Sequence, residues 1–282
     1  VAVVSTTRGR RRVYGVDFSG AQDAGRNVWL ASATRREGSL VVEGCFPGEA
    51  LPNSGRDRDD CHPALREFLA GADDAIVGVD VPFGLPAELV DQGTWPAFAQ
   101  AFPGGAAGPT EWAEACRDRA ETLDRERVEL KRATDDETGA PFSPYNLRMR
   151  SATFYAITSI LAPLVQRDAA SVLPMQPPNP GTAWLLEACP AVTLDRLDLD
   201  AEGYKDDDEA AEERRAQIVD ALADGPATIV PTVREAAIEE PDGDALDAVL
   251  AAVGVTMALE RGEPTSPGTV DARTRIEGRI YG

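Results

Sequence analysis

Two short apolar runs, each closed by an aspartate, limit what this chain can fold into. Val13-Tyr14-Gly15-Val16 ends in Asp17 and the turn former Ser19-Gly20, and Ala75 to Val79 ends in Asp80, with Pro82-Phe83-Gly84 just beyond. Runs this short and this uniformly apolar fit strands covered on both faces, the usual setting of parallel sheets flanked by helices. Val28 to Ala33 and Leu40 to Phe46 read as two further strands joined by a hairpin turn at Glu37-Gly38-Ser39, and Ala183 to Ala188 as another. Ala227 to Val230 and Ile276 to Tyr281 are shorter candidates. Helical spacing marks Pro63 to Ala70, Ala216 to Leu222 and, most strongly, Asp244 to Leu259. The expectation is an α/β fold built on a mixed sheet flanked by helices.

With 282 residues the chain lies near the size at which single cores begin to split. One domain over residues 12–282 is expected, interrupted by a helical insertion over 92–180. There, Gly104-Gly105, Gly108-Pro109 and Pro174 to Pro180 break up two helical stretches, Glu111 to Arg132 and Leu147 to Gln166. Arg117 to Arg150 holds eight bases and eight acids. That makes it the segment best placed to meet a polyanion, or else a set of i,i+4 ion pairs on solvated helix faces.

Elsewhere the charge is lopsided: 48 acids against 28 bases, net −20, with Lys131 and Lys205 the two lysines among many arginines. Such a surface repels itself in dilute buffer and is screened at about 1 M salt, where the Debye length is roughly 3 Å. The composition looks like that of a cytoplasmic protein from a salt-accumulating (halophilic) organism; an acidic protein with basic partners is the alternative. Net charge then reports the solvent and does not exclude nucleic acid. Asp198 to Glu213, with nine acids, reads as a solvated acidic face or loop. Cys45, Cys61, Cys116 and Cys189 lack zinc-ligand or redox spacing and read as buried free thiols. Val1 to Thr7 is too short for a signal peptide. The longest apolar stretch, Ala248 to Leu259, falls short of the roughly 20 residues that span a bilayer. A soluble, cytoplasmic chain with no membrane partner is expected.

Chemistry enters with the carboxylates. Ligands of open α/β sheets bind outside the carboxyl ends of the strands, so if these strands are parallel neighbours Asp17 and Asp80 face one another across that crevice. Each aspartate alone also suits a turn or cap. Asp244 and Asp247, three residues apart, share one helix face, and Ala248, Ala251 and Ala252 let that helix approach a sheet closely. Dipole stabilisation accounts for Asp244; Asp247 interrupts an apolar stretch and needs a partner. Converging carboxylates raise one another's pKa unless a cation intervenes, and hard oxygen ligands select Mg2+ or Mn2+. Two such ions about 3.5–4 Å apart serve phosphodiester hydrolysis without a side-chain base. This suits a chain whose single histidine, His62, reads as a surface residue.

The ordered set Val13-Tyr14-Gly15-Val16-Asp17-Phe18-Ser19-Gly20, Gly78-Val79-Asp80-Val81-Pro82-Phe83-Gly84, Arg132-Ala133-Thr134-Asp135, Glu187-Ala188-Cys189-Pro190, Tyr204-Lys205, Asp244-Ala245-Leu246-Asp247-Ala248 and Glu277-Gly278-Arg279-Ile280 resembles domain-of-unknown-function family 429. The resemblance implies a ribonuclease-H-like sheet, three antiparallel strands first and parallel strands after, and a predicted nuclease acting on DNA or RNA. It places Asp17 as the acid of the first strand, Asp80 or Glu187 as that of a neighbouring strand, and Asp244 with Asp247 as the acidic pair of the last helix.

Arg132 and Lys205 are the candidates for phosphate contact, Arg132 because its planar fork suits phosphate oxygens and Thr134-Asp135 follow closely enough to hold it. Two other functions compete. One is a non-catalytic binding module on the same fold. The other is an ATP-binding phosphoryl-transfer protein that uses Asp17-Phe18-Ser19-Gly20 as a phosphate turn.

Overall fold

The apolar runs meet in one mixed sheet of eight strands among the described residues, 10–36, 39–123, 128–206 and 208–282, of a computed structural model. Strand β1 (Arg12–Asp17) is followed by the single turn α1 (Ala24–Asn27) and by β2 (Trp29–Arg36) and β3 (Ser39–Pro47). Helix α2 (Arg58–Ala70) leads into β4 (Ile76–Asp80). Helices α3 (Trp95–Ala101), α4 (Pro109–Glu121), α5 (Ala133–Thr138), α6 (Arg150–Tyr155) and α7 (Ala162–Gln166) come next, with a π-helical turn, Ala156–Leu161, joining the last two. Then follow β5 (Ala170–Leu173), β6 (Ala183–Ala188), α8 (Pro190–Arg196), α9 (Glu209–Asp224), β7 (Ala227–Ile229) and α10 (Pro231–Glu239). Last come α11 (Asp244–Glu260), α12 (Thr274–Glu277) and β8 (Ile280–Tyr281).

The spatial order is β5-β6-β4-β1-β2-β3-β7, with β8 pairing β6. β2 pairs antiparallel with both β1 and β3, β4, β6 and β5 continue parallel from β1, and β7 runs parallel to β3. Alternation along the strands divides the core into two layers. Val16, Leu30, Val77, Val79 and Leu185 pack with Leu65 and Leu69 of α2 and with the helices of the 92–166 region. Val13, Ala31, Ala33, Ile76 and Leu186 pack on the other face with α9, α10 and α11.

α11 is apolar all round because it is enclosed all round: every residue from Ala245 to Thr256 is buried. It begins where Gly243 turns with φ of 78°, a left-handed conformation that favours glycine. Its backbone lies directly on the sheet. A Cβ at Gly78 would fall 2.5 Å from the carbonyl oxygen of Ala251, and one at Gly15 would overlap that of Ala248.

The structure departs from the sequence reading in several places. α2 starts at Arg58, so Pro63 lies inside it and not in its first turn. Asp59 and Asp60 suit the positive end of the helix but carry no apolar spacing to reveal it. His62 is therefore drawn into the core layer and is buried, not on the surface. β5 falls within the 92–180 segment, whose helical part ends at Gln166; four residues before Pro174, three of them apolar, are too few to declare a strand. The final strand is only Ile280–Tyr281. The first helical stretch of the insertion is α4, ending at Glu121, with α5 beginning at Ala133. The acidic stretch ends in the first turns of α9. Glu37 and Gly38 of the expected turn lie outside the described residues, although β2 and β3 pair antiparallel around them. All four cysteines are free, Cys61 and Cys116 buried and the other two partly so. No helix among the described residues is long and apolar enough to cross a membrane.

Gly78→Val should lower stability in urea unfolding by about 3 kcal/mol, because the new side chain must push α11 off the sheet. A variant as stable as the parent would show that the helix does not rest on the strand as described.

Candidate metal centre

Parallel pairing puts Asp17 of β1 in register with Asp80 of β4, at the carboxyl ends of adjacent strands. Both follow the parity of Gly15 and Gly78, whose missing Cβ atoms face α11, so both carboxylates lie on the α11 side of the sheet. Asp247 reaches them from the first turn of that helix. One carboxylate oxygen from each of Asp17, Asp80 and Asp247 lies within 4.8 Å of the others. Asp244, one turn earlier on α11, is half-buried and outside that group, near enough to act on it electrostatically.

The electrostatics are out of balance. Burial, then Asp247 and Asp244, hold the Asp17 carboxyl well above the ordinary carboxylate range. Burial and then Asp247 push Asp80 up to about 8. Asp244 is pushed up to about 7 by burial, with Lys205 pulling the other way and Glu240 adding to the rise. Among the described residues one cation faces them: Lys205, half-exposed, makes an ion pair with Asp247 Oδ2. Burial works against its charge, but Asp247 and Asp17 outweigh that and raise its pKa. The buried Tyr204 hydroxyl donates to Asp247 Oδ1 at 2.7 Å, so both oxygens of Asp247 are held in place.

Four acids against one lysine leave the cluster either protonated or in need of a further cation. The three converging ligand atoms are carboxylate oxygens, a group that could hold a metal ion.

Glu187 does not join this group. In β6 it stands opposite Val79, while Ala188 is opposite Asp80, so the alternation of the strand carries Glu187 to the other face. It belongs to a second, internally matched network. The Arg132 guanidinium donates to Glu187 Oε1 at 2.5 Å and Oε2 at 2.7 Å, to Asp135 Oδ1 at 2.7 Å, and to the Glu277 carbonyl at 3.2 Å. The Phe83 N–H also donates to Glu187 Oε2, at 2.9 Å. Burial raises the Glu187 pKa while Arg132 opposes it. Arg132 is 1% exposed. Its fork, expected to grip phosphate, is engaged by buried carboxylates. Lys205 stays at the cluster, accessible to solvent.

Sequence reasoning missed two members of these networks. Tyr204 was legible only as a neighbour of Lys205. The Glu277 side chain accepts from the backbone of Ala87 and of Ala133, each at 2.7 Å, and so ties α12 to two distant segments that no local pattern connects.

Fold and site together define an α/β protein with a carboxylate cluster where two parallel strands meet the start of a buried helix. The family described as "Protein of unknown function (DUF429)" matches residues 15–272, and the chain belongs to that family. No curated protein and no solved structure matches the chain.

Two outcomes are expected. Asp80 keeps its proton in the metal-free folded protein over a range in which the unfolded chain has already lost it. Its contribution to stability is therefore complete below about 4 and is lost as the pH rises through about 8. In chelator, the melting temperature should fall from pH 5 to pH 8.5, and Mn2+ should raise it more at pH 8.5 than at pH 5. An equal Mn2+ shift at both values would remove the carboxylates as ligands. Separately, Arg132→Gln should destabilise the fold by about 3–5 kcal/mol in urea, since it leaves two carboxylates buried without their partner. Unchanged stability would show that this network is not formed.

Proposed function

We propose that this chain is a divalent-metal-dependent nuclease that hydrolyses phosphodiester bonds of DNA or RNA at the Asp17–Asp80–Asp247 cluster. The observation that carries the reading is the convergence of those three carboxylates on one point at the edge of the sheet. Three antiparallel strands followed by parallel β4, β6 and β5 support a ribonuclease-H-like reading of the sheet.

Mg2+ or Mn2+ bound there would supply an activated water and charge stabilisation on the departing oxygen. The residues' own work is to fix the ligands and to admit the strand. Asp17 and Asp80 are set by sheet register, and Asp247 by Tyr204 and Lys205. Lys205, beside the cluster and exposed, would be the residue to meet a phosphate oxygen when its ion pair with Asp247 opens. A cavity of about 230 Å3 opens beside Asp80 and Lys205; Phe142, Met149 and Pro190 give it an apolar stretch suited to a sugar or base next to the phosphate, and Arg132, Asp135 and Glu187 also line it. Arg148 lies over the Phe142 ring, 5.2 Å from its centroid, and adds a cation to that approach.

The Lys205–Asp247 ion pair favours a second reading, a non-catalytic binding module in which the lysine serves as a permanent internal counter-ion. The two part on one experiment. Labelled single-stranded, duplex, hybrid and branched nucleic acids are incubated with the protein in concentrated KCl and Mn2+ or Mg2+. Metal-dependent cleavage is expected, reduced at least 1000-fold in Asp17→Asn with the fold intact by circular dichroism. Full cleavage by Asp17→Asn would sink the site; no cleavage by folded wild-type protein that binds metal would favour the binding module.

A further inference from the structure

On the sheet face opposite α11, a cavity of about 340 Å3 lies between α2 and the π-helical turn Ala156–Leu161. In a chain of net charge −20 its lining carries two guanidinium groups, Arg58 and Arg66, and the ring of His62, all from α2, against one acid, Asp59. Arg58 is pre-set, its guanidinium 3.8 Å above the Tyr155 ring and donating to the Gly20 carbonyl at 3.0 Å and to Gln22 Oε1 at 3.2 Å. Arg66 donates through one terminal nitrogen to the Ser159 carbonyl, at 3.0 Å, in the π turn. Its Nε lies 3.7 Å from Glu67, whose carboxylate is already gripped by both terminal nitrogens of Arg167.

His62 supplies the independent observation. It is 2% exposed, and its Nε2 lies 2.9 Å from the Ser19 carbonyl oxygen. A carbonyl only accepts, so Nε2 carries the hydrogen. Burial pushes the imidazole down to about 4, which leaves a neutral ring with a bare acceptor at Nδ1. Among the described residues neither His62 Nδ1 nor Arg66 Nε has a hydrogen-bond partner. Buried orphans of this kind call for an explanation, and here both belong to residues that line one cavity, beside a π turn of the sort that recurs at functional sites.

A group that completes this cavity must bring negative oxygens for the guanidinium groups and one O–H donor for Nδ1. A phosphate monoester supplies both: its second pKa is about 6, so near that pH much of it is a monoanion with one P–OH. A phosphodiester and sulfate have the oxygens without the hydrogen. We propose that the Arg58–His62–Arg66 cavity is a binding site for a phosphate monoester group, separate from the carboxylate cluster. Inorganic phosphate and the terminal phosphate of a nucleic acid strand share this chemistry.

The test is calorimetric titration of the full chain at pH 6 in chelator, with inorganic phosphate against sulfate at matched ionic strength. Phosphate is expected to bind at least tenfold more tightly than sulfate. His62→Gln, which still offers an N–H to Ser19 while losing the Nδ1 acceptor, and Arg66→Gln should each weaken phosphate binding about tenfold. Equal affinity for the two anions, or no saturable phosphate binding, would overturn the proposal. If His62→Gln fails to fold, the wild-type comparison of anions and the half-exposed Arg66→Gln still decide. A 5′-phosphorylated trinucleotide that binds more tightly than inorganic phosphate, with its 5′-hydroxyl counterpart inert, would assign the site to a strand terminus. Binding of inorganic phosphate alone would assign it to the free ion. No metal is present, so the outcome stands apart from the nuclease reading.

Discussion

The backbone of α11 rests on the sheet because positions 15 and 78 carry no Cβ, and the rest of the site follows from that contact. Helices usually pack on sheets through side chains; here Gly15 and Gly78 bring Ala248 and Ala251 down to the strands themselves. One turn earlier on the same helix, Asp247 is delivered to the strand ends at the level of Asp17 and Asp80. A bulkier contact would lift the helix and separate the three carboxylates, so two residues with no chemistry of their own set the spacing of those that have it.

Two kinds of charge economy, on side chains from opposite faces of the sheet, meet at one cavity. On one face Arg132 meets Glu187 and Asp135 with its donors engaged, a matched network of the sort that fixes a structure. On the other, Asp17, Asp80, Asp247 and Asp244 share Lys205, and the surplus carboxyls are left without a counter-charge. The matched network stitches α5, β6 and the Glu277 region together and has little left to offer a ligand. The unmatched cluster is held by the same fold at a cost in desolvation, and the imbalance itself marks it as the place where something charged should arrive.

Much of this was legible in the sequence, for a physical reason. Val13 to Val16 and Ala75 to Val79 are uniformly apolar because both faces of those strands are covered, and the aspartates that close them mark the strand ends. The small, apolar helix after Asp244 reports its enclosure in the same way. What stayed hidden depends on one-residue parity or on distance along the chain. Glu187 and Ala188 are equally plausible neighbours of Asp80 until register decides between them. Arg132 reads as a free cation until Glu187 and Glu277, more than fifty and more than a hundred residues away, converge on it. His62 shows no sign of burial because the first turn of α2, which draws it inward, is written in charged residues.

The order of the ligands along the chain also has a temporal meaning. Asp17 and Asp80 leave the ribosome early, and Asp247 follows on the order of ten to thirty seconds later at ordinary translation rates. Until then the strands lack the helix that covers them, and the two carboxylates lack the third that makes them a site. The centre is thus assembled by a late-arriving segment: a partly made chain carries two of the parts and none of the chemistry.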